Sequence, residues 1–273
     1  MKKHLLGWFI LVALLSFVIA GCGDDNATGN NDGNVPAELT GAWTFSSVTL
    51  DGSAQDLAEF FEWDASAVSA QVIISADFTQ EYRELNNQNY VLWYDGGTFS
   101  IDGQNLTMID TSQEGQTIDP DTTFSGTWEV NGNQATLIMS MDGSTIEITL
   151  TSVADVPDEL LGTWTFQTIT VDGTTTDIAD IFEWDSTTVS SHIIIYADYT
   201  TRYEELDSDN SVVFYDKELF VINENSLTIT AVSENGSPIE HQYAFSGSWS
   251  ISGNQLTLST SEEGHTIVFT LSK

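Results

Sequence analysis

Apolar and polar residues alternate with a period of two over long stretches of the chain. Phe124, Gly126, Trp128 and Val130 alternate with Thr123, Ser125, Thr127 and Glu129, and Phe245, Gly247, Trp249 and Ile251 repeat the pattern further on. Successive side chains of a strand point to opposite faces, so this pattern predicts strands with one buried face. Asp-Gly, Asn-Gly and Gly-Asn pairs break the runs at the spacing of about 8 to 12 residues typical of antiparallel sandwiches and barrels. One segment departs from the pattern: in Gln55 to Trp63, Leu57, Phe60 and Phe61 recur at helical spacing after an Asp-Gly turn, which predicts a short helix after the first strand.

A shift of 121 positions aligns Pro36–Ser152 with Pro157–Lys273 without a gap, with about 50 of roughly 117 pairs identical. The landmarks recur in order. Gly41-Ala42-Trp43-Thr44-Phe45 matches Gly162-Thr163-Trp164-Thr165-Phe166, Phe61-Glu62-Trp63-Asp64 matches Phe182-Glu183-Trp184-Asp185, and Phe124-Ser125-Gly126 matches Phe245-Ser246-Gly247. A repeat of this length is a domain rather than a solenoid unit. The chain thus divides into a leader (residues 1–21), a Gly-, Asn- and Asp-rich tether (22–35), a first copy (36–152), a short linker and a second copy (157–273). Each copy is expected to be all-β, with about eight strands.

The opening Gly41-x-Trp43 and Gly162-x-Trp164, the short helix, the hairpins with Asp turns and the closing Trp strand resemble the bacterial lipocalin-like domains. That resemblance implies two tandem antiparallel up-and-down β-barrels, each closed around its Gly-x-Trp motif. Members usually place a basic residue near the last strand over the opening Trp. The first copy ends Ile148-Thr149-Leu150-Thr151-Ser152 with none, and in the second only Lys273 could serve. A β-sandwich or an avidin-like barrel remains the alternative architecture.

The N-terminus has its own pattern. Lys2 and Lys3 precede an apolar run from Leu5 to Ala20, shorter than the roughly 20 residues of a membrane span, ending at Ile19-Ala20-Gly21-Cys22. These four residues resemble the bacterial lipobox, which implies signal removal and lipid attachment at Cys22, and so a membrane partner through that lipid. Gly23 in place of Asp behind the cysteine argues against inner-membrane retention, and Asp24-Asp25 resembles the export signals of some surface-displayed lipoproteins. The expected location is the cell envelope, at the outer membrane and exposed on its surface. Cys22 is the only cysteine, so the copies hold together without disulfides.

Removing the leader takes Lys2 and Lys3 and leaves Arg83, Arg202, Lys217 and Lys273 against all 41 carboxylates, a formal net charge of −37. Such a surface repels phosphate backbones and anionic headgroups, which excludes nucleic acid as a partner. Self-repulsion at this charge predicts a protein suited to salt or divalent cations. No protein partner can be named from these residues.

No phosphate-binding glycine loop, His-Glu-x-x-His or Gly-x-Ser-x-Gly motif is present, so no enzymatic activity, catalytic residue or cofactor is expected. His192, His241 and His265 lie in the second copy against Gln71, Pro120 and Ser144 in the first, the pattern of scattered surface histidines rather than of a shared metal site. Asp119-Pro120-Asp121 and Asp207-Ser208-Asp209 lack the spacing of a calcium loop.

The strand from Phe78 to Leu85 carries more information. Phe78, Gln80, Tyr82 and Glu84 share one face, matched by Tyr199, Thr201, Tyr203 and Glu205. Glu81 with Arg83, and Arg202 with Glu204, keep one charge of each sign on the other face, which is expected to be solvent-exposed. The Tyr and Glu face is then expected to point inward, with Tyr82 and Glu84 beside Trp128, and Tyr203 and Glu205 beside Trp249, as candidate ligand contacts. A buried carboxylate there needs a partner or a raised pKa, and water contact at a barrel mouth is the simpler alternative. Trp43 and Trp164 are expected in the core, and Trp63 and Trp184 as lids or packing groups, with an exposed docking edge as the alternative. The leading expectation is a small apolar or amphipathic ligand in the barrels. The alternative is a structural or adhesive protein with filled barrels that meets cations, glycans or basic proteins.

Overall fold

A computed structural model describes residues 35–118, 123–141, 143–239 and 244–273. The leader, Cys22, most of the tether, Asp119-Pro120-Asp121 and His241 lie outside the described residues.

The first copy contributes β1 (Gly41–Leu50), β2 (Ser53–Gln55), a helical turn (Leu57–Phe60), β3 (Ser69–Ile74), β4 (Thr79–Leu85), β5 (Val91–Asp102), β6 (Asn105–Gln113), β7 (Gln116–Thr117), β8 (Thr123–Asn131), β9 (Gln134–Met141) and β10 (Ser144–Ser152). The second repeats this with β11 (Gly162–Val171), β12 (Thr174–Thr176), a helical turn (Ile178–Ile181), β13 (Ser190–Ile195), β14 (Thr200–Leu206), β15 (Val212–Asn223), β16 (Ser226–Glu234), β17 (Ser237–Pro238), β18 (Ala244–Ser252), β19 (Gln255–Glu262) and β20 (His265–Ser272).

Each sheet uses strands of one copy only. In the first, β1, β3, β4, β5, β6, β8, β9 and β10 are antiparallel neighbours in that order, and β1 also pairs β10. Eight strands therefore close into an up-and-down barrel, and the second copy closes likewise through β11 and β20. That closure excludes the sandwich alternative, in which two sheets keep free edges. The short strands β2, β7, β12 and β17 stand outside the ring as hairpin extensions.

The Asp-Gly turns stitch the closure. Asp51 and Asp172 adopt positive φ of 50° and 49°, and each is bonded to the last strand in both directions. Asp51 N–H donates to Thr145 O and its carboxylate accepts from Thr145 N–H, and Asp172 does the same with Thr266. The helical turns begin at Asp56 and Asp177, whose side chains cap Glu59 N–H and Ala179 N–H, a common device for satisfying a helix's first donors.

The expected alternation holds on β8, where Trp128 is buried while Ser125, Thr127 and Glu129 are exposed. The first barrel's core gathers Leu39, Trp43, Phe99, Trp128, Leu137 and Leu150 among others. Trp43 and Trp164 plug one end of their barrels, their indole N–H groups donating to Leu39 O at 2.9 Å and Leu160 O at 2.7 Å. Over Trp164 stands Lys273, its Nζ 4.5 Å from the ring centroid and donating to Glu159 O. Gly162 has φ 109°, and a Cβ there would sit 3.6 Å from Lys273 Cε, so its backbone conformation dictates glycine where space alone would not.

Of the paired charges on β4 and β14, Arg83 and Glu204 are buried, contrary to expectation, while the Arg202 side chain stays 39% exposed. Arg83 is fully buried with Glu81 as its ion-pair partner, and Glu204 is 8% exposed. In the second barrel the reason is cross-strand cover. Glu204 pairs His192 on one side and Tyr215 on the other, is hydrogen-bonded to His192 Nε2 at 2.6 Å, forms an ion pair with Arg202 Nε at 2.7 Å, and Arg202 lies over the Tyr215 ring. His192 is thus part of a covered ladder, while His265 is an exposed partner of Asp172.

Candidate functional site

Both barrels carry a polar patch inside, under the segment that follows the helical turn. In the first, Glu84 is 5% exposed, so it does not meet water at a mouth. Its Oε2 accepts from Asp64 N–H at 2.7 Å and its Oε1 from the Tyr82 hydroxyl at 3.3 Å. Tyr82 packs edge-on to Phe45, with the Trp63 indole beside its oxygen. Burial and the nearby Glu84 carboxylate raise the Tyr82 pKa, which keeps the hydroxyl a donor at any physiological pH.

The second barrel repeats the arrangement with one substituted tie. Tyr203 donates to Glu205 Oε1 at 3.2 Å and accepts from Trp184 Nε1 at 3.0 Å, while Glu205 Oε2 accepts from Thr188 Oγ1 at 2.8 Å. Burial likewise raises the Tyr203 pKa. The segments carrying Trp63 and Trp184, the lid segments of the two barrels, are thus tied to the inward Tyr and Glu, through Asp64 N–H in the first and through Trp184 Nε1 and Thr188 Oγ1 in the second.

Trp128 lies elsewhere. On β8, three strands from β4 in the ring, it belongs to the core packed around Trp43 and Leu137. Its counterpart Trp249 is part-exposed and donates from Nε1 to Glu224 O at 3.1 Å. The structure thus joins Tyr82 with Glu84, and Tyr203 with Glu205, while the tryptophans beside them are Trp63 and Trp184. Gly41 (φ 117°) and Gly162 (φ 109°) are the first residues of β1 and β11, two residues before the plugging tryptophans on the same strands.

Sequence reasoning missed the acids on the neighbouring strands. Asp95 and Asp216 occupy matching positions on β5 and β15; Asp216 pairs Tyr203 across the ladder. Asp95 Oδ2 accepts from Trp93 Nε1 at 3.0 Å. In the second copy Trp93 becomes Phe214, which has no donor. Two residues on, Gly97 of the first barrel becomes Glu218, Gln80 becomes Thr201, and Asp110 becomes Ala231. Gln80 Nε2 donates to Asp110 Oδ1 at 3.0 Å in the first barrel, and Thr201 Oγ1 donates to Glu218 Oε2 at 2.6 Å in the second. Since Gly97 pairs Asp110 and Glu218 pairs Ala231, each barrel keeps one inward acid at this cross-strand pair, on opposite strands. The signal was available in the copy-to-copy alignment as a group of changes on adjacent strands.

Aromatic rings occupy the interior around these acids. Phe166, Phe182, Tyr203 and Phe269 stand at centroid separations of 5.1 to 6.2 Å, with Phe245 5.8 Å from Phe269 and Phe214 6.3 Å from Tyr203. Among the described residues no group of three or more His, Cys, Asp or Glu is placed to hold a metal ion. A depression of about 570 Å³ on the second barrel, lined by Asn223, Glu224, Asn225, Ser226, Gly247 and Ser248, is polar and contains none of the aromatic residues discussed above.

Fold and site together define a class: an all-β protein of two tandem closed eight-stranded barrels, each with a buried Tyr–Glu pair set among apolar and aromatic side chains. No protein-family model matches the sequence, and no curated protein matches it. Among solved structures, the chain is similar to a tryptophan-to-alanine mutant of transferrin binding protein B from Haemophilus parasuis Hp5, at 8% identity, 85% coverage of this chain, 76% of the other and a TM-score of 0.23. It is also similar to isotype 1 transferrin binding protein B from serogroup B Neisseria meningitidis, at 9% identity, 85% and 77% coverage and a TM-score of 0.24. At these scores the architecture rests on this chain's own strand pairings.

Proposed function

We propose that this chain is a non-enzymatic lipoprotein of the cell envelope, anchored through Cys22, in which each of two barrels (residues 36–152 and 157–273) is a scaffold that presents an acidic outer surface to a basic partner. The observation that carries this reading is the cluster of part-buried rings in the second barrel, Phe166, Phe182 and Phe269, whose stacking and edge contacts occupy space a bound apolar molecule would need. Tyr82, Glu84, Tyr203 and Glu205 then serve the lids rather than a ligand. The charge of −37 favours a cationic or basic partner by long-range attraction.

The test is native mass spectrometry of the gently purified mature chain, together with titration by an apolar dye. An empty chain that fails to bind the dye is the expected result. A stoichiometric small molecule released on denaturation would return the barrels to the carrier function and give its substrate class. Substitution of Cys22→Ala is expected to release the chain from the membrane fraction, and retention there would refute the anchor.

A further inference from the structure

The two lids look alike but rest on different electrostatics. Under the first, Asp95 has the Trp93 indole as a donor and Asp110 has the Gln80 amide. Under the second, Phe214 removes the donor that Asp95 has on Oδ2, while Oδ1 of Asp216, like Oδ1 of Asp95, is buried without a hydrogen-bond partner. Two acids lie near it: inward Glu205 on β14 and Glu234, its exposed cross-strand partner on β16. Glu218 follows on the same face of β15, with Thr201 as its hydroxyl donor.

Among the described residues, the other elements around this cluster place no cationic side chain on its inward face. β13 contributes Ser191 and β20 contributes Phe269. His192, Arg202 and Glu204 lie on the outward face, and Lys217 alternates to that face from β15 and is exposed. Lys273 sits over Trp164. On the lid, Glu183 and Asp185 are exposed, and Asp185 is held ionised by the Thr187 N–H and hydroxyl, which lower its pKa.

We propose that Asp216 and Glu218 make the second barrel a proton-operated latch: proton uptake by this pair tightens the lid carrying Trp184, proton loss loosens it, and the first barrel's lid does not respond. The link from acids to lid is short. Asp216 pairs Tyr203 and faces Glu205, the two residues that hold Trp184 and Thr188. When Asp216 and Glu218 ionise, repulsion falls on Glu205 and on the Tyr203 contact, and the polar ties to the lid are the easiest to give way.

The titration range agrees with this geometry. Burial, with Glu234 and Glu205 nearby, pushes Asp216 up to about 6. Burial pushes Glu218 up to about 7 against the opposing Thr201 hydrogen bond. Both values exceed those of the open chain, so the closed form binds more protons between about pH 4 and 7, and closure weakens as pH rises through that window.

Hydrogen exchange of the intact chain tests the latch, read by mass spectrometry from pH 5.5 to 8.5 with intrinsic exchange rates divided out. Protection of residues 178–189 is expected to fall by about ten-fold or more across this range, while residues 57–68 change by no more than about two-fold. The double substitution Asp216→Asn with Glu218→Gln is expected to leave the second lid closed and flat with pH. A wild-type second lid without pH dependence, an equal response of both lids, or a response that survives the double substitution would overturn the latch. The wild-type comparison of the two lids decides the matter even if the variant fails to fold.

Discussion

The lid tie of the first barrel can be broken at one residue, Glu84. Replacing it with alanine strips the acceptor from Asp64 N–H at 2.7 Å and from the Tyr82 hydroxyl at 3.3 Å, in a place where Glu84 itself is 5% exposed. A hydrogen bond to a charged acceptor is worth about 1.5 to 3 kcal/mol, and the short Asp64 bond belongs in that range while the long Tyr82 bond adds little. Removing a buried carboxylate also removes its desolvation cost, which offsets part of the loss. The net expectation is a destabilisation of about 2 kcal/mol, or a fall in melting temperature on the order of 10 °C for a domain of this size. Glu84→Gln keeps the shape and one acceptor and should lose about half as much. Calorimetry of the intact chain, with the second barrel's transition as reference, measures both, and hydrogen exchange at residues 57–66 locates the effect. A first-barrel transition unmoved by Glu84→Ala, or moved equally by glutamine, would refute the claim that this carboxylate holds the lid.

Three other outcomes follow from the structure. Lys273→Met removes the cation over Trp164 and the donor to Glu159 O, and should lower the second barrel's stability by about 1 kcal/mol in calorimetry while Lys273→Arg largely preserves it. Gly97→Ala would place a Cβ 2.3 Å from Ile109 O and 2.5 Å from Gln80 Nε2, so urea unfolding should show a loss of about 1 to 3 kcal/mol, whereas Glu218→Ala at the matching position should be tolerated. The melting temperature of the mature chain should rise between low salt and 1 M NaCl, because screening relieves the self-repulsion of 41 carboxylates facing four Lys and Arg.

The strands, the repeat and the helical turns were legible because each carries a period or a cap that survives without tertiary context. The inward Tyr82 and Glu84 were legible for the same reason, as one face of a strand. The acids on β5 and β15 were not. Period-two reasoning assigns an aspartate to the outward face, and Asp95 and Asp216 break that rule, the first with the Trp93 indole as donor and the second with a pKa raised by burial. The ladder of Glu204 with His192 and Arg202 was missed for a related reason. Pairing one strand's charges with each other ignores the two flanking strands, whose side chains cover them.

The exchange of Gly97, Gln80 and Asp110 for Glu218, Thr201 and Ala231 shows that the barrel interior changes as a unit. Paired residues of an antiparallel ladder point to the same side, so a carboxylate on either strand occupies the same space, and the donor on β4 or β14 must change length to follow it. Moving one member alone fails for a stated reason. Ala231→Asp sets a second buried acid beside Glu218 with no donor to spare, at a cost of about 3 kcal/mol or more. Thr201→Gln drives an amide into the space Glu218 already fills, at about 1 to 3 kcal/mol. Made together, Thr201→Gln, Glu218→Gly and Ala231→Asp rebuild the first barrel's arrangement, and the triple variant should unfold within about 1 kcal/mol of wild type. Strong non-additivity in urea unfolding is thus expected, since the three side chains share one space and one hydrogen bond. Additive losses would mean that the two copies arrived at these residues independently and that the pair does not carry a single relocated acid.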